Sequence, residues 1–188
     1  MIRNYVMLEE TFLAPEVPKA VILHRIMCIN DFVCQGKVIK AGTLGGFIEK
    51  YENLKGNAWC SDDGEEGFCC IYGNACADDE VLLIKAANMH ENAKAYGQCI
   101  ISEAEISGSA QVRDRAKVYG FYTNVTGNAF VEDNAIIYDA KLAGDVIVSG
   151  NVIIRGNNNT ITKGIFKGSK EIFLEKYLRE QRKLGVKI

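Results

Sequence analysis

A small residue recurs along this chain about every six positions, and an aliphatic residue usually follows it two places on. Ala93/Ala95, Cys99/Ile101, Ala104/Ile106, Ala110/Val112, Ala116/Val118, Ala129/Val131, Ala135/Ile137, Ala140/Leu142, Val146/Val148 and Val152/Ile154 all obey this rule. Strand side chains alternate between faces, so each pair reads as two inward residues flanking one outward residue. One strand and one corner fill a unit, and three units close one turn of a triangular coil. The coils are expected to begin at Ala58, Ala75, Ala93, Ala110, Ala129 and Val146, with steps of 17, 18, 17, 19 and 17 residues. Six layers stacked at about 4.8 Å give a prism about 29 Å long. The competing architecture, a sandwich of hairpins, needs longer strands than these.

The corners agree. Gly56-Asn57, Gly73-Asn74, Glu91-Asn92, Asp114-Arg115, Gly127-Asn128, Asp133-Asn134, Gly144-Asp145 and Gly150-Asn151 each stand just before the small inward residue. Gly and Asn tolerate the positive φ of a tight corner. Near the edge of a narrow tube there is room for Ala or Cys, and mid-face for Val or Ile.

The Gly127-Asn128-Ala129-Phe130-Val131 pattern resembles the hexapeptide repeats of left-handed β-helix proteins. The stretch Lys40 to Lys50 with its Gly45-Gly46 pair, then Glu52-Asn53-Leu54 and Gly56-Asn57-Ala58-Trp59, is similar to the leading segment of the YdcK-type proteins of bacteria and prophages. The resemblance spans about residues 20 to 162. It implies an all-β, left-handed parallel β-helix; the right-handed rule for parallel crossovers would favour the opposite hand. The expected organisation is an N-terminal β-rich cap and leading segment over 1–55, the β-helix over 56–166 and a C-terminal amphipathic helix over 167–188.

Composition narrows the function classes. The formal charge is −2, so no bulk attraction to nucleic acid or anionic membrane is expected. No apolar run approaches membrane-spanning length, and residues 1–15 lack a signal-peptide core, which points to a cytoplasmic protein. The seven cysteines are scattered without metal-ligand spacing, so neither a metal site nor disulfides are expected. Cys60, Cys69 and Cys99 fall at inward positions and read as small hydrophobes.

Outside the repeat, Ala20–Leu23, Arg25–Cys28 and Phe32–Ile39 read as strands of the cap, behind Pro15 and Pro18. Gly42, Gly45 and Gly46 lack the spacing of a phosphate loop and read as a structural turn. In the C-terminal helix Ser169 is the expected N-cap, with Phe173, Leu174, Tyr177, Leu178 and Leu184 on one stripe.

With the inward positions fixed, the outward faces carry the functional information. The second face shows Leu82, Ile84, Ile100, Tyr119, Ile136, Tyr138 and Ile153, an apolar strip that soluble monomers seldom expose. Either the C-terminal helix or another subunit covers it; a homotrimer, the common assembly of the resembling class, is the preferred expectation. On the first face and its corners, Arg113, Arg115 and Lys117 with Tyr119, Phe121 and Tyr122 are candidate ligands for a flat anion. Trp59 is assigned to that face too. The plainer alternative pairs the arginines with Glu103, Glu105 and Glu132 of neighbouring layers.

Two functions compete. One is a non-catalytic binding protein, a phage or prophage accessory that sequesters a host factor or a nucleotide-like anion in an inter-subunit groove without a cofactor. The other, implied by the resemblance, is an acyltransferase using acetyl-CoA or another acyl-CoA. For the latter, His90 is the candidate general base and Glu91 its orienting carboxylate; His24, the other histidine, lies in the cap.

Overall fold

The chain forms a β-solenoid of about six turns closed by one C-terminal helix. A computed structural model describes residues 3–14, 21–62 and 68–184. Pro15, Pro18, Ala20 and all but the first residue of the Asp62–Gly67 irregularity lie outside the described residues.

Two-residue strands stack in parallel on three walls. On the first wall Cys76, Lys94, Gln111, Phe130, Ile147 and Ile165 lie in one column. On the second the column is Trp59, Leu82, Ile100, Lys117, Ile136 and Ile153, and on the third Phe47, Cys70, Asn88, Glu105, Asn124 and Lys141. Amides of one coil donate to carbonyls of the next, as in Lys94 N to Ala110 O at 3.0 Å and Gln111 N to Ala129 O at 2.9 Å. The bore is dry: Ala110, Val112, Ala129 and Val131 are all 0% exposed.

The corners divide their work between two residues. The first member of each pair sits in the left-handed region, including Glu91 (φ 59°), Asp114 (φ 62°) and Asp133 (φ 62°). Acidic residues bear that strain while their carboxylates receive a backbone N–H from the next coil, as in Asp133 N to Asp114 Oδ2 at 3.1 Å and Gly150 N to Asp133 Oδ2 at 2.8 Å. The following Asn does not supply the positive φ. Its side chain forms a ladder instead, Asn74 to Asn92 and Asn134 to Asn151, each 3.1 Å.

The first coil differs from expectation. Ala58 does not stack under Ala75, because Trp59 pairs with Leu82 and Leu54 bridges to Ala77. Trp59 and its partner Leu82 stand 23 positions apart, so this coil holds more residues than the others and Trp59 belongs to the second wall. It is 1% exposed and lies under Phe32, ring centroids 5.8 Å apart.

The N-terminal segment is an antiparallel sheet laid against the start of the solenoid. β1 (Tyr5–Ala14) pairs with β2 (Val21–Cys28), which is one strand rather than two; β3 (Phe32–Cys34) and β4 (Lys37–Ile39) form a hairpin rather than a single strand. β5 (Leu44–Ile48) pairs antiparallel with β2 and parallel with Cys70–Ile71, so it joins the cap to the coils. This explains the double glycine. Gly46 lies inside a strand, and a Cβ there would stand 2.2 Å from the Cys69 carbonyl oxygen. Close backbone approach, not a turn, requires it. Gly42 does occupy a turn, at φ 86° with open space around it.

At the other end, Ser169 does not cap a helix. Ser169–Phe173 adds one more parallel strand, with Ile172 opposite Ile154, and α1 (Leu174–Lys183) begins after it with Phe173 as N-cap. Leu174 and Leu178 enter the core that holds Ile154, Ile161 and Phe166, and Tyr177 meets Phe166 edge-on at 5.4 Å. Phe173 and Leu184 stay exposed. The helix packs on the last coil rather than along the second wall. Among the described residues no helix is long and apolar enough to cross a membrane.

Gly46→Ala should lower stability by about 2–3 kcal/mol, since backbone must move to admit the methyl group. Gly42→Ala should cost only about 1 kcal/mol, the conformational strain alone. Urea denaturation midpoints of the two variants check the order.

Candidate functional site

The repeat positions His90 without help from its chain neighbour. His90 follows the strand Asn88–Met89 on the third wall, and Tyr72 occupies the equivalent place one coil earlier. Their rings stack at 5.2 Å with planes 7° apart. His90 Nε2 lies 3.3 Å from Glu105 Oε1, a carboxylate of the following coil. Glu91, the expected partner, turns into the corner and accepts the Gly108 amide. The physical reason is its φ of 59°, which makes residue 91 a corner residue rather than a wall residue.

The recess around His90 comes from chain outside the repeat. Phe12 and Ala14 of β1 overhang the third wall, and Phe68 closes one side. Together with Cys70, Tyr72, Ala86, Asn88, His90 and Glu105 they border a half-open recess of about 380 Å³. Arg25 anchors this arm. Its guanidinium pairs with Glu10 of β1 at 2.9 Å and with Asp62, and lies 4.7 Å over the Phe47 ring. Phe47 in turn meets Phe68 at 4.6 Å, and Phe12 meets Phe68 at 4.9 Å. The third wall is thus partly roofed by aromatics.

Glu105 is held below the usual carboxylate range, chiefly by its hydrogen bond to His90 and against the opposing effect of burial. A depressed carboxylate stabilises the fold above its unfolded pKa, about 4.3, and that contribution is lost as pH falls through the folded midpoint. With the Glu105 side chain 45% exposed, solvent screening keeps it small.

The six candidate anion ligands do not converge. Arg113 stands on the first wall and is tied to Glu132 through Nε at 2.7 Å, with the Phe130 ring 5.8 Å away. Arg115 occupies the next corner, and Lys117 and Tyr119 lie on the second wall. Phe121 and Tyr122 project from the far corner, 79% and 52% exposed. Of the two readings offered by the sequence, ion pairing between layers describes Arg113. The second-wall residues do align: Leu82, Ile100, Ile136 and Ile153 share one column with Lys117, and Ile84, Tyr119 and Tyr138 share another with Ser102 and Arg155, though Leu82 is already buried within the chain. Tyr119 and Tyr138 meet edge-on at 5.3 Å.

Cys34, Cys70 and Cys99 are not ready nucleophiles. Burial pushes the thiols of Cys34, Cys70 and Cys99 up to about 12, so they stay protonated at neutral pH. Among the described residues no three His, Cys, Asp or Glu side chains stand close enough to hold a metal ion.

Comparison of the sequence with models of known protein families and with curated proteins returned no match.

Sequence reasoning missed Tyr72, Glu105, Phe12 and Phe68 as parts of the site. The first two follow from the coil period, because Tyr72 is His90's column neighbour and Glu105 begins the adjoining strand. Phe12 and Phe68 carry no such signal. In His90→Ala the titration midpoint of Glu105 should rise toward the ordinary carboxylate value, as read by carboxyl ¹³C NMR; an unchanged midpoint would disprove the pairing.

Proposed function

We propose that this chain is a non-catalytic binding scaffold, a rigid solenoid that takes a small ligand in the third-wall recess and joins copies of itself through the second wall. The observation that carries this reading is the recess itself, where a non-repetitive arm brings aromatic rings over a His–Glu pair. A concave, largely apolar surface with a few polar groups is the usual form of a ligand site. The phage or prophage accessory role, and the left-handed sense of the coils, belong to the YdcK-type resemblance. A nucleotide-like anion at the Arg113–Lys117 edge is the weaker ligand assignment, because Arg113 is engaged with Glu132.

Self-association as a homotrimer is supported by the apolar residues that recur on the second wall, interrupted by Lys117, Ser102 and Arg155, and by a helix that closes the end of the tube instead. Fully burying each isoleucine is worth up to about 1.5–3 kcal/mol, which weighs against an association cost of about 4–15 kcal/mol. Ile136→Asp combined with Ile153→Asp should give a soluble monomer by light scattering. An unchanged mass would remove the second wall from the assembly.

Acyl transfer is the second reading, favoured by the single fact that a carboxylate orients the imidazole of His90, as a general base requires. Calorimetry with acetyl-CoA separates the two. The scaffold reading expects no saturable heat; binding accompanied by transfer activity that His90→Ala removes would establish the enzyme.

A further inference from the structure

We propose that the third-wall recess selects a small alkylammonium ion, a quaternary or methylated amine. This rests on the recess being the ligand site. Phe12, Phe68 and Tyr72 line it with three aromatic rings, and Glu105 lines it beside His90. Aromatic faces carry negative potential and attract cations, worth about 0.5–1 kcal/mol each when exposed and about 2 kcal/mol when desolvated. Among the described residues that line the recess there is no lysine or arginine, and Glu105 is the one carboxylate. An anion entering would meet that carboxylate in a half-dry site and lose its own hydration without compensation. A hydrated metal ion would gain little from phenyl walls.

A methylated ammonium fits both demands. Its charge is spread over methyl groups that shed water readily and pack on phenyl faces, and the carboxylate balances what charge remains. Phe12 and Phe68 are held edge to face at 4.9 Å, and the arm that carries Phe12 is pinned by the Arg25 bridges. The walls are therefore set before a ligand arrives, which lowers the ordering cost of binding.

The test compares choline with 3,3-dimethylbutanol, which keeps its shape and replaces the charged nitrogen by carbon. Binding is read from the imidazole resonances of the protein's two histidines and by calorimetry. Choline should bind at least about tenfold more tightly than the isostere, a difference of about 1.4 kcal/mol. Phe12→Ala and Glu105→Gln should each weaken choline at least about fivefold, with unchanged circular dichroism. Phe12 lies outside the solenoid ladder, so its variant is not expected to unfold the tube. Equal binding of choline and its isostere, both lost in Phe12→Ala, would overturn the cation assignment and leave the recess as a ligand site. Tighter binding of benzoate than of choline would do the same. No response of His90 to any of the three at about 10 mM, an affinity too weak to matter, would overturn the site itself.

Discussion

Each coil satisfies its backbone only through the coils above and below it. The amide of Lys117 finds the Ala135 carbonyl at 2.9 Å, and that of Ile100 finds Ala116 at 3.1 Å, so no layer is complete alone. The ladder fixes the vertical spacing, and the spacing demands that every coil return to the same point after one circuit. From that demand follow the narrow bore, the alanines near its edges and the left-handed corner residues. It also explains why extra residues appear at corners: the Gly120–Thr123 step is absorbed by a turn in which Thr123 Oγ1 donates to the Tyr119 carbonyl at 2.8 Å.

The walls were legible because the bore permits so few side chains. Ala110/Val112 and Ala129/Val131 cannot be exchanged for polar or bulky pairs, and the periodicity they leave is unambiguous. The first coil was misread for the same reason. Ala58 and Ala75 stand 17 positions apart, a coil-like interval, but the true partner of Trp59 is Leu82, 23 positions on. Ser169 was read as a cap because it precedes a helical stripe, yet another layer of ladder bonds takes Ser169–Phe173 first. Gain from pairing a whole strand exceeds what one capping hydroxyl offers.

The site was half legible. Repetition converts sequence distance into contact, so His90, Tyr72 and Glu105 could be placed once the register was known. Glu91 misled because adjacency in sequence is not adjacency on a wall when a corner intervenes. Nothing in the repeat tells where an arm outside it will lie. The position of Phe12 depends on an antiparallel strand with a bulge between Met7 and Thr11, and on Arg25 reaching Glu10 and Asp62. The chemistry collects where irregular chain meets regular wall.

The near-equality of the coils has one more consequence. Lys94 meets Cys76 on one side and Gln111 on the other in the same register, with an Ala–Ala or Ala–Val pair inward at each level. Excising a full turn would rejoin equivalent neighbours and leave both ends of the molecule as they were. The arm with its recess sits at one end and the closing helix at the other, so the distance between them is a whole-number property. Such a molecule is a ruler, graduated in turns, whose length can be altered in evolution without redesigning what it carries at either tip.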